Sequence, residues 1–351
     1  MERQGKEWTE VTMFQESLRR IVRREDLEEE TMTAVMDSLM SGEITESQIG
    51  ALMAALATKG ETFAELAGAA RAMRRKAQRV QVSASTVVDT CGTGGDGAQT
   101  FNISTAAAFV VAGAGVTVAK HGNRSVSSKC GSADVLEALG MRVELDPELV
   151  EEAIRELGVG FLFAPVFHGA MRYAAKPRKE VGIRSIFNML GPLTNPAGAN
   201  CQLIGVYAPE LTEMFAQALR LLGARRALVV HGHDGLDEIS VCAPTRITEL
   251  ADGTCRTYDV TPEQLLGRTA SPDDLAGGDP ETNAGILRAV LEGEKGPRRD
   301  VVVVNAGAAL IAAGVAGDFR EGMAAAERAI DGRAALGKLD ALIRFTRDHA
   351  G

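Results

Sequence analysis

Residues 89–97 read DTCGTGGDG, and residues 101–105 read FNIST. A short β-type run, 86–89, leads into the first, and an alanine-rich helical stretch opens at Ser104. Glycines between a strand and a helix let backbone N–H groups approach an anion without Cβ clashes. The helix N-terminus adds its own partial positive charge. The segment lacks the GKS/T ending of a Walker loop, and G-T-G-G-D lacks the third glycine of the dinucleotide pattern. A glycine-rich turn alone is often only a tight turn, so its weight comes from the strand before it and the helix after it.

Outward from this segment the texture repeats. Residues 86–89, 116–119, 142–145, 160–164, 202–207 and 227–231 have strand character, and helices are expected to start at Ser104, Ser132, Pro147 and Pro209. Asp146-Pro147 and Ala208-Pro209 place proline where a first helical turn has no use for an N–H. Such alternation implies an α/β fold with a mostly parallel central sheet. Residues 301–304 are all valine and could be strand, but alanine and leucine continue the run, so helix is favoured. Upstream, the first eighty or so residues read as helix throughout. Phe14, Leu18, Ile21 and Val22 recur at helical spacing, as do Met32, Val35, Met36, Leu39 and Met40. Thr45 with Gln48, and Thr62 with Glu65, have the form of capping boxes. A small N-terminal helical domain, 1–82, therefore precedes a larger α/β domain, 83–351. The methionine stripe reads as core or as a subunit interface; Met32, Met36, Leu39 and Met40 are the residues expected at a homodimer contact.

Composition narrows the function. Acidic residues outnumber basic ones, 47 against 38, and aromatics are only 4%. A broad nucleic-acid footprint is disfavoured by both, because it wants positive potential and stacking surfaces. Five cysteines, at 91, 130, 201, 242 and 255, form no CxxC pair. They read as reduced thiols of a cytoplasmic protein. The start, MERQGKEWTEV, has no apolar signal core. The apolar stretches 103–119 and 301–317 are interrupted by polar residues and glycines, so no membrane span is expected.

Three further segments carry candidate chemistry. Lys120 to Ser132 reads KHGNRSVSSKCGS, a dense set of donors with little acidic compensation, suited to phosphate or diphosphate oxygens. Residues 231–240 read HGHDGLDEIS, and the adjacent Asp237 and Glu238 can hold a hard cation whose shell is completed by water and phosphate. His231-x-His233 raises a transition-metal alternative, and a purely structural acidic turn is another. In residues 167–196, Arg178 stands beside a proline-stiffened turn at Pro177 and could fork onto a carboxylate; a solvated helix face explains it equally well.

Taken together, DTCGTGGDG, FNIST, KHGNRSVSSKCGSADVLEALG, IRSIFNMLGPLTNPA and HDGLDEIS resemble anthranilate phosphoribosyltransferase, whose fold is shared with pyrimidine nucleoside phosphorylases. The resemblance implies transfer of a phosphoribosyl group from phosphoribosyl diphosphate to anthranilate. It implies that Gly92, Gly95, Asp96, Thr100, Asn102, Ile103, Ser104 and Thr105 bind phosphoribosyl diphosphate. The same role falls to Lys120, His121, Gly122, Asn123, Arg124, Ser125, Val126, Ser127, Ser128 and Ser132. Gly92, Asn123 and Arg178 would bind anthranilate. Ser104, Asp237 and Glu238 would hold Mg²⁺, two ions being expected, and no protein nucleophile is needed. It also implies a helical domain completed by residues near 170–195 and a homodimer formed through it. A nucleoside phosphorylase would need no carboxylate-bound magnesium, so Asp237-Glu238 and the KHGNR run speak against that rival. The acidic balance speaks against a relative that only binds nucleic acid.

Overall fold

The computed structural model describes residues 10–125 and 129–349. Val126, Ser127 and Ser128, expected at the phosphate site, lie outside the described residues. The chain forms two compact units, Met1–Ala77 with His168–Thr194 and Gln78–Phe167 with Asn195–Gly351.

The first unit is helical: α1 (Glu10–Val22), α2 (Glu29–Met40), α3 (Glu46–Lys59), α4 (Phe63–Lys76) and a later helix, Arg172–Val181. Both capping boxes form. Thr45 Oγ1 accepts the Gln48 N–H at 3.3 Å while Gln48 Oε1 accepts the Thr45 N–H at 3.0 Å. Thr62 and Glu65 repeat the exchange at 3.2 and 2.9 Å. Such a cap is worth about 1 kcal/mol. Glu65 is fully buried, and its carboxylate also accepts from Lys59 Nζ and from the Leu27 N–H, each at 3.0 Å. One capping residue thus ties the end of α3 and the approach to α2 to the first turn of α4.

The methionine stripe is spent inside this unit. Met32, Met36 and Leu39 are 0% exposed and Met40 3%, so they are core and leave no face for a second copy. Val22 is 68% exposed because α1 ends there and the chain turns away at Arg24, φ 64°. Pro177 lies within the helix Arg172–Val181 rather than in a turn, which corrects the expectation for that segment.

The second unit is built on a seven-stranded sheet: β1 (Val87–Gly92), β2 (Thr117–Gly122), β3 (Val159–Phe163), β4 (Cys201–Gly205), β5 (Arg226–Gly232), β6 (Thr245–Ala251) and β7 (Thr254–Val260). The order is β3-β2-β1-β4-β5-β6-β7. The first five neighbours pair parallel, and β5, β6 and β7 pair antiparallel. β3 and β4 are buried at every position, the pattern of a sheet covered on both faces. The helices α5 (Ile103–Gly113), α6 (Ser132–Ala138) and α7 (Pro147–Leu157) lie in the connections. Since β1 is flanked by β2 on one side and β4 on the other, the order reverses between β1 and β4. In open α/β sheets such a switch point, at the carboxyl ends of the strands, is where ligands bind.

Several expectations change. Residues 142–145 are not a strand: their in-out burial alternates as in one, but the Arg142 N–H goes to Thr346 Oγ1 at 3.2 Å instead of to a ladder. Pro209 precedes its helix, which begins at Leu211. Residues 301–304 are helical, within Pro297–Ala312, as favoured. The hairpin β6–β7 was not anticipated. Its loop is Asp252-Gly253, with φ of 51° and 75°, the two-residue turn that matches strand twist.

Candidate active site

The site is built at the switch point of the second unit. β1 ends at Gly92 directly beside Gly205, the last residue of β4. Neither tolerates a side chain. A Cβ on Gly92 would stand 2.2 Å from Asp237 Oδ2, and one on Gly205 would stand 1.5 Å from the Asp237 carbonyl oxygen. The two strand ends thus leave the space that the turn after β5 fills. Gly94, Gly95 and Gly97 have φ of 66°, 75° and 76°, which explains why the loop needs glycine there.

Three carboxylates meet around that loop. Asp237 Oδ2 accepts the Gly94 N–H at 2.8 Å, and the Asp237 N–H points to Asp96 Oδ2 at 3.4 Å. Glu238, 8% exposed, accepts the Ser104 N–H in the first turn of α5. Burial first, and Asp96 second, push the Asp237 carboxyl up to about 7. Burial, then Asp237, raise Glu238 well above the usual carboxylate range, with Lys120 pulling it back.

Lys120 is the buried cation of the cluster, 4% exposed. Its Nζ donates to the Thr90 carbonyl and lies 3.4 Å from Ser104 Oγ. Thr90 Oγ1 in turn donates to the Ser104 carbonyl at 2.9 Å, so strand β1, β2 and helix α5 are pinned at one point. Asp89, fully buried, accepts the His121 N–H at 3.1 Å and Asn195 Nδ2 at 2.7 Å. Its carboxyl is raised by burial and held back chiefly by Lys120. Asp89, Asn195 and Gly205 were not among the expected site residues; Asp89 and Asn195 at least stood inside the motifs.

The remaining residues have these places. Thr100 makes an isolated bridge to Ala276, and Asn102 precedes α5 with Nδ2 on the Cys130 carbonyl at 3.1 Å. Asn283 Nδ2 donates to Asn102 Oδ1 at 3.0 Å. Ile103 and Thr105 are buried, and Thr105 Oγ1 has no hydrogen-bond partner among the described residues. Gly122 packs so closely that a Cβ would meet Ser132 Oγ at 2.2 Å. Ser132 Oγ exchanges hydrogen bonds with the Asn123 backbone at 3.2 and 3.3 Å. Arg124 is not brought into the carboxylate cluster. Its guanidinium forks onto Glu137 at 3.1 and 2.8 Å, reaches Glu144 at 3.1 Å and lies 5.0 Å over the Phe163 ring. The Ser125 and Gly131 N–H groups both go to Asp134 Oδ2, at 2.9 and 2.7 Å. The acidic compensation that the 120–132 segment lacks is supplied from 134, 137 and 144.

The two histidines diverge. His231 is buried with Nδ1 2.7 Å from the Val206 carbonyl, whereas His233 is exposed and 3.7 Å from Asp259. Among the described residues no three His, Cys, Asp or Glu side chains form a ready metal cage. A Mg²⁺ site does not require one, since that ion keeps waters and takes one or two carboxylates plus phosphate oxygens. The donor set fits such an ion: hard oxygens gathered at one place, with the Asp237 and Glu238 carboxyls raised by burial and then by their acidic neighbours. In the other unit, Arg178 lies in the helix Arg172–Val181, half-buried, 5.4 Å over the Phe187 ring. Burial lowers its pKa.

Residues 84–336 match the glycosyl transferase family, a/b domain, and residues 15–77 the glycosyl transferase family, helical bundle domain. An anthranilate phosphoribosyltransferase of Desulfatibacillum aliphaticivorans is 69% identical over 337 residues, covering 96% of this chain and 100% of its own. One from Syntrophobacter fumaroxidans is 71% identical with the same coverage. The chain belongs to the anthranilate phosphoribosyltransferase family. It is accordingly an enzyme of the glycosyltransferase class, with a helical bundle domain and a larger α/β domain. The solved family member of Thermus thermophilus superposes with a TM-score of 0.90 at 46% identity, covering 94% of this chain and 99% of that one. That of Saccharomyces cerevisiae in complex with PRPP and Mg superposes at 0.87 with 27% identity, covering 97% and 99%. Among the described residues no helix is long and apolar enough to cross a membrane.

Proposed function

We propose that this family member moves the phosphoribosyl group of 5-phosphoribosyl 1-diphosphate onto the amine of anthranilate, releasing diphosphate, as a step of tryptophan biosynthesis. The observation that carries the reading is the meeting of Asp96, Asp237 and Glu238 with Lys120, Ser104 and the start of α5 at the sheet's switch point. Asp237, Glu238 and Ser104 would hold a cation there, Mg²⁺ and by the resemblance two ions, which would supply positive charge for the leaving diphosphate.

The chain's own residues do the rest. The C1–O bond to diphosphate breaks with its electron pair leaving on oxygen, the amine lone pair forms the C1–N bond, and one amine proton is released. Glycine-loop N–H groups, Lys120 and the α5 N-terminus hold the diphosphate where that charge develops, which is electrostatic catalysis without a protein nucleophile. Asn102, Ser104 and Thr105 line the entry to α5, and the segment from Lys120 to Ser132 supplies further donors. Gly92, Asn123 and Arg178 are assigned to anthranilate. Arg178, stacked on Phe187, presents a planar fork suited to a carboxylate. A cytoplasmic homodimer formed through the helical unit completes the reading, with no nucleic acid or membrane partner. Since the methionine stripe is core, exposed Val22, Phe63 and Ile183 are the apolar surface such pairing would cover. Light scattering at micromolar concentration tests this, a monomer counting against it.

The decisive assay follows the loss of anthranilate fluorescence. It is expected only when phosphoribosyl diphosphate and Mg²⁺ are both present. Robust turnover in excess chelator, or turnover of thymidine with phosphate instead, overturns the assignment.

A further inference from the structure

We infer that Asn305 is a positioning residue for the cation-binding turn, an inference that rests on Asp237 and Glu238 being cation ligands. Asn305 lies in the middle of the helix Pro297–Ala312 and is 0% exposed. Its Oδ1 accepts the Ile239 N–H at 2.9 Å, and its Nδ2 donates to the Ile239 carbonyl at 2.9 Å. One side-chain amide thus pairs with both polar groups of a single residue, as a neighbouring strand would. The second Nδ2 hydrogen goes to the Val301 carbonyl of its own helix, also at 2.9 Å. Both donors of the amide are used, and its orientation is over-determined.

Ile239 directly follows Glu238 and is itself fully buried. Farther along, the Ser240 N–H goes to Thr245 Oγ1 at 2.9 Å and Ser240 Oγ to Asp234 Oδ2 at 2.6 Å. Those bonds stay within the turn and its strand. Among the described residues, the Asn305 clamp is the side-chain hydrogen bonding that ties the residue next to the carboxylates to a buried helix. Its neighbours in sequence, Val301 to Val304, Ala306 and Ala308, are aliphatic and buried, so an amide there is out of keeping with plain packing. Asparagine is also a poorer helix former than the alanine and leucine around it. The two bonds to Ile239 account for an amide at this position. Asp237 and Glu238 crowd Asp96, and like charges push that turn outward; the clamp opposes this and keeps the ligands aimed inward.

The test compares wild type with Asn305→Ala, Asn305→Ser and Thr346→Val. Serine at 305 keeps a hydroxyl for the Val301 carbonyl, four residues back, but is too short for Ile239. Thr346→Val removes the part-buried hydrogen bond from the Arg142 N–H and the buried one to the Ile343 carbonyl, both far along the chain from the turn. Mn²⁺ serves as probe: free ion is counted by its paramagnetic resonance in the presence of phosphoribosyl diphosphate, below the melting temperature of every variant. Loss of an outer partner of a metal ligand costs about 10- to 100-fold in metal affinity; acting through Ile239, one residue from the ligands, both Asn305 variants are expected at the lower end, about tenfold. Half-saturating Mg²⁺ in the assay should rise in parallel, with kcat recovering at high Mg²⁺. Thr346→Val should lower Tm and leave Mn²⁺ affinity alone. The inference is overturned if both Asn305 variants merely lower Tm as Thr346→Val does, with wild-type Mn²⁺ affinity. A wild-type protein that binds no Mn²⁺ under these conditions overturns the carboxylate reading itself, which separates the two failures.

Discussion

Gly205→Ala tests the geometry of the site without removing any functional group. The methyl would stand 1.5 Å from the Asp237 carbonyl oxygen and 2.4 Å from its carbonyl carbon, both backbone atoms with no rotamer to escape into. Restoring ordinary contact requires a displacement on the order of 1.5 Å in the turn, because a packed interior has no slack to absorb it. Gly205 is paired in the sheet on both sides, with Gly92 and with Val230, so the turn moves rather than the strand. Overpacking of this kind costs about 1–3 kcal/mol of stability. A misplacement near 1 Å can cost about a hundredfold in rate. Gly92→Ala is the graded companion. Its methyl would meet the Asp237 carboxylate at 2.2 Å, and that side chain can swing away at the expense of its bond to the Gly94 N–H. Steady-state fluorescence with Mg²⁺ and phosphoribosyl diphosphate titrated in turn, beside circular dichroism, reads both. Gly205→Ala should remain folded and lose about a hundredfold in kcat/KM, while Gly92→Ala chiefly raises the Mg²⁺ requirement. A folded Gly205→Ala enzyme with wild-type kinetics would refute the claim that this glycine makes room for the turn.

Replacing Asp237 by Asn and Glu238 by Gln keeps size and removes the charges a hard cation needs. Activity should fall steeply and recover partly at high Mg²⁺, and an unchanged Mg²⁺ dependence would remove both residues from the site. Because the Asp237 carboxyl is pushed up to about 7, protons compete with the cation near neutrality. Apparent Mg²⁺ affinity should decline as pH falls below about 7, by as much as tenfold per pH unit, in a calorimetric titration that also shows proton release. The same raised carboxyl contributes stability that is present below its ordinary value of 3.8 and lost as pH rises through about 7. Chelated protein should therefore melt higher at pH 6 than at pH 8, and Mg²⁺ should flatten the difference. Arg178→Lys loses both the fork and the guanidinium stacked on Phe187. The anthranilate KM should rise roughly ten- to a hundredfold with that for phosphoribosyl diphosphate nearly constant; a change confined to the latter would move Arg178 to the phosphate site.

What was legible in the sequence was local. A strand, a glycine run and a helix start lie within about twenty residues, and both capping boxes span four, so neighbours in sequence decide them. The hairpin β6–β7 is signalled in sequence only by Asp252-Gly253, because its strands, TRITELA and TCRTYDV, carry many polar residues. What stayed hidden depends on contacts far along the chain. Asn195 reaches Asp89 across 106 residues, and nothing beside Gly205 announces that Asp237 will lie against it. The partners of Arg124 likewise lie outside the donor-rich segment 120–132. Glu137 and Glu144, which occupy its guanidinium, stand just beyond that segment.

Arg124 bears on the electrostatics of the whole site. With its guanidinium paired to two carboxylates, the charges that act on one another at the switch point are Lys120 with Asp89 and Glu238, and Asp96 with Asp237 and Glu238. One cation among four carboxylates leaves a cluster formally at −3 when all are ionised, and burial weakens the screening that would hide this from an incoming anion. A free diphosphate ester would be repelled by such a site rather than drawn to it. Burial first, and the neighbouring carboxylates second, raise the Asp237 and Glu238 carboxyls, the second cause being the same excess of negative charge. One divalent cation brings the cluster to −1 and two bring it to +1, which turns repulsion into attraction only for the second. On this arithmetic the glycine loop and the α5 N-terminus grip the phosphates, but the carboxylates make that grip conditional on the cation. Binding of phosphoribosyl diphosphate should then be strongly cooperative with Mg²⁺, and neutralising Asp237 and Glu238 should tighten binding of the metal-free substrate even as turnover falls.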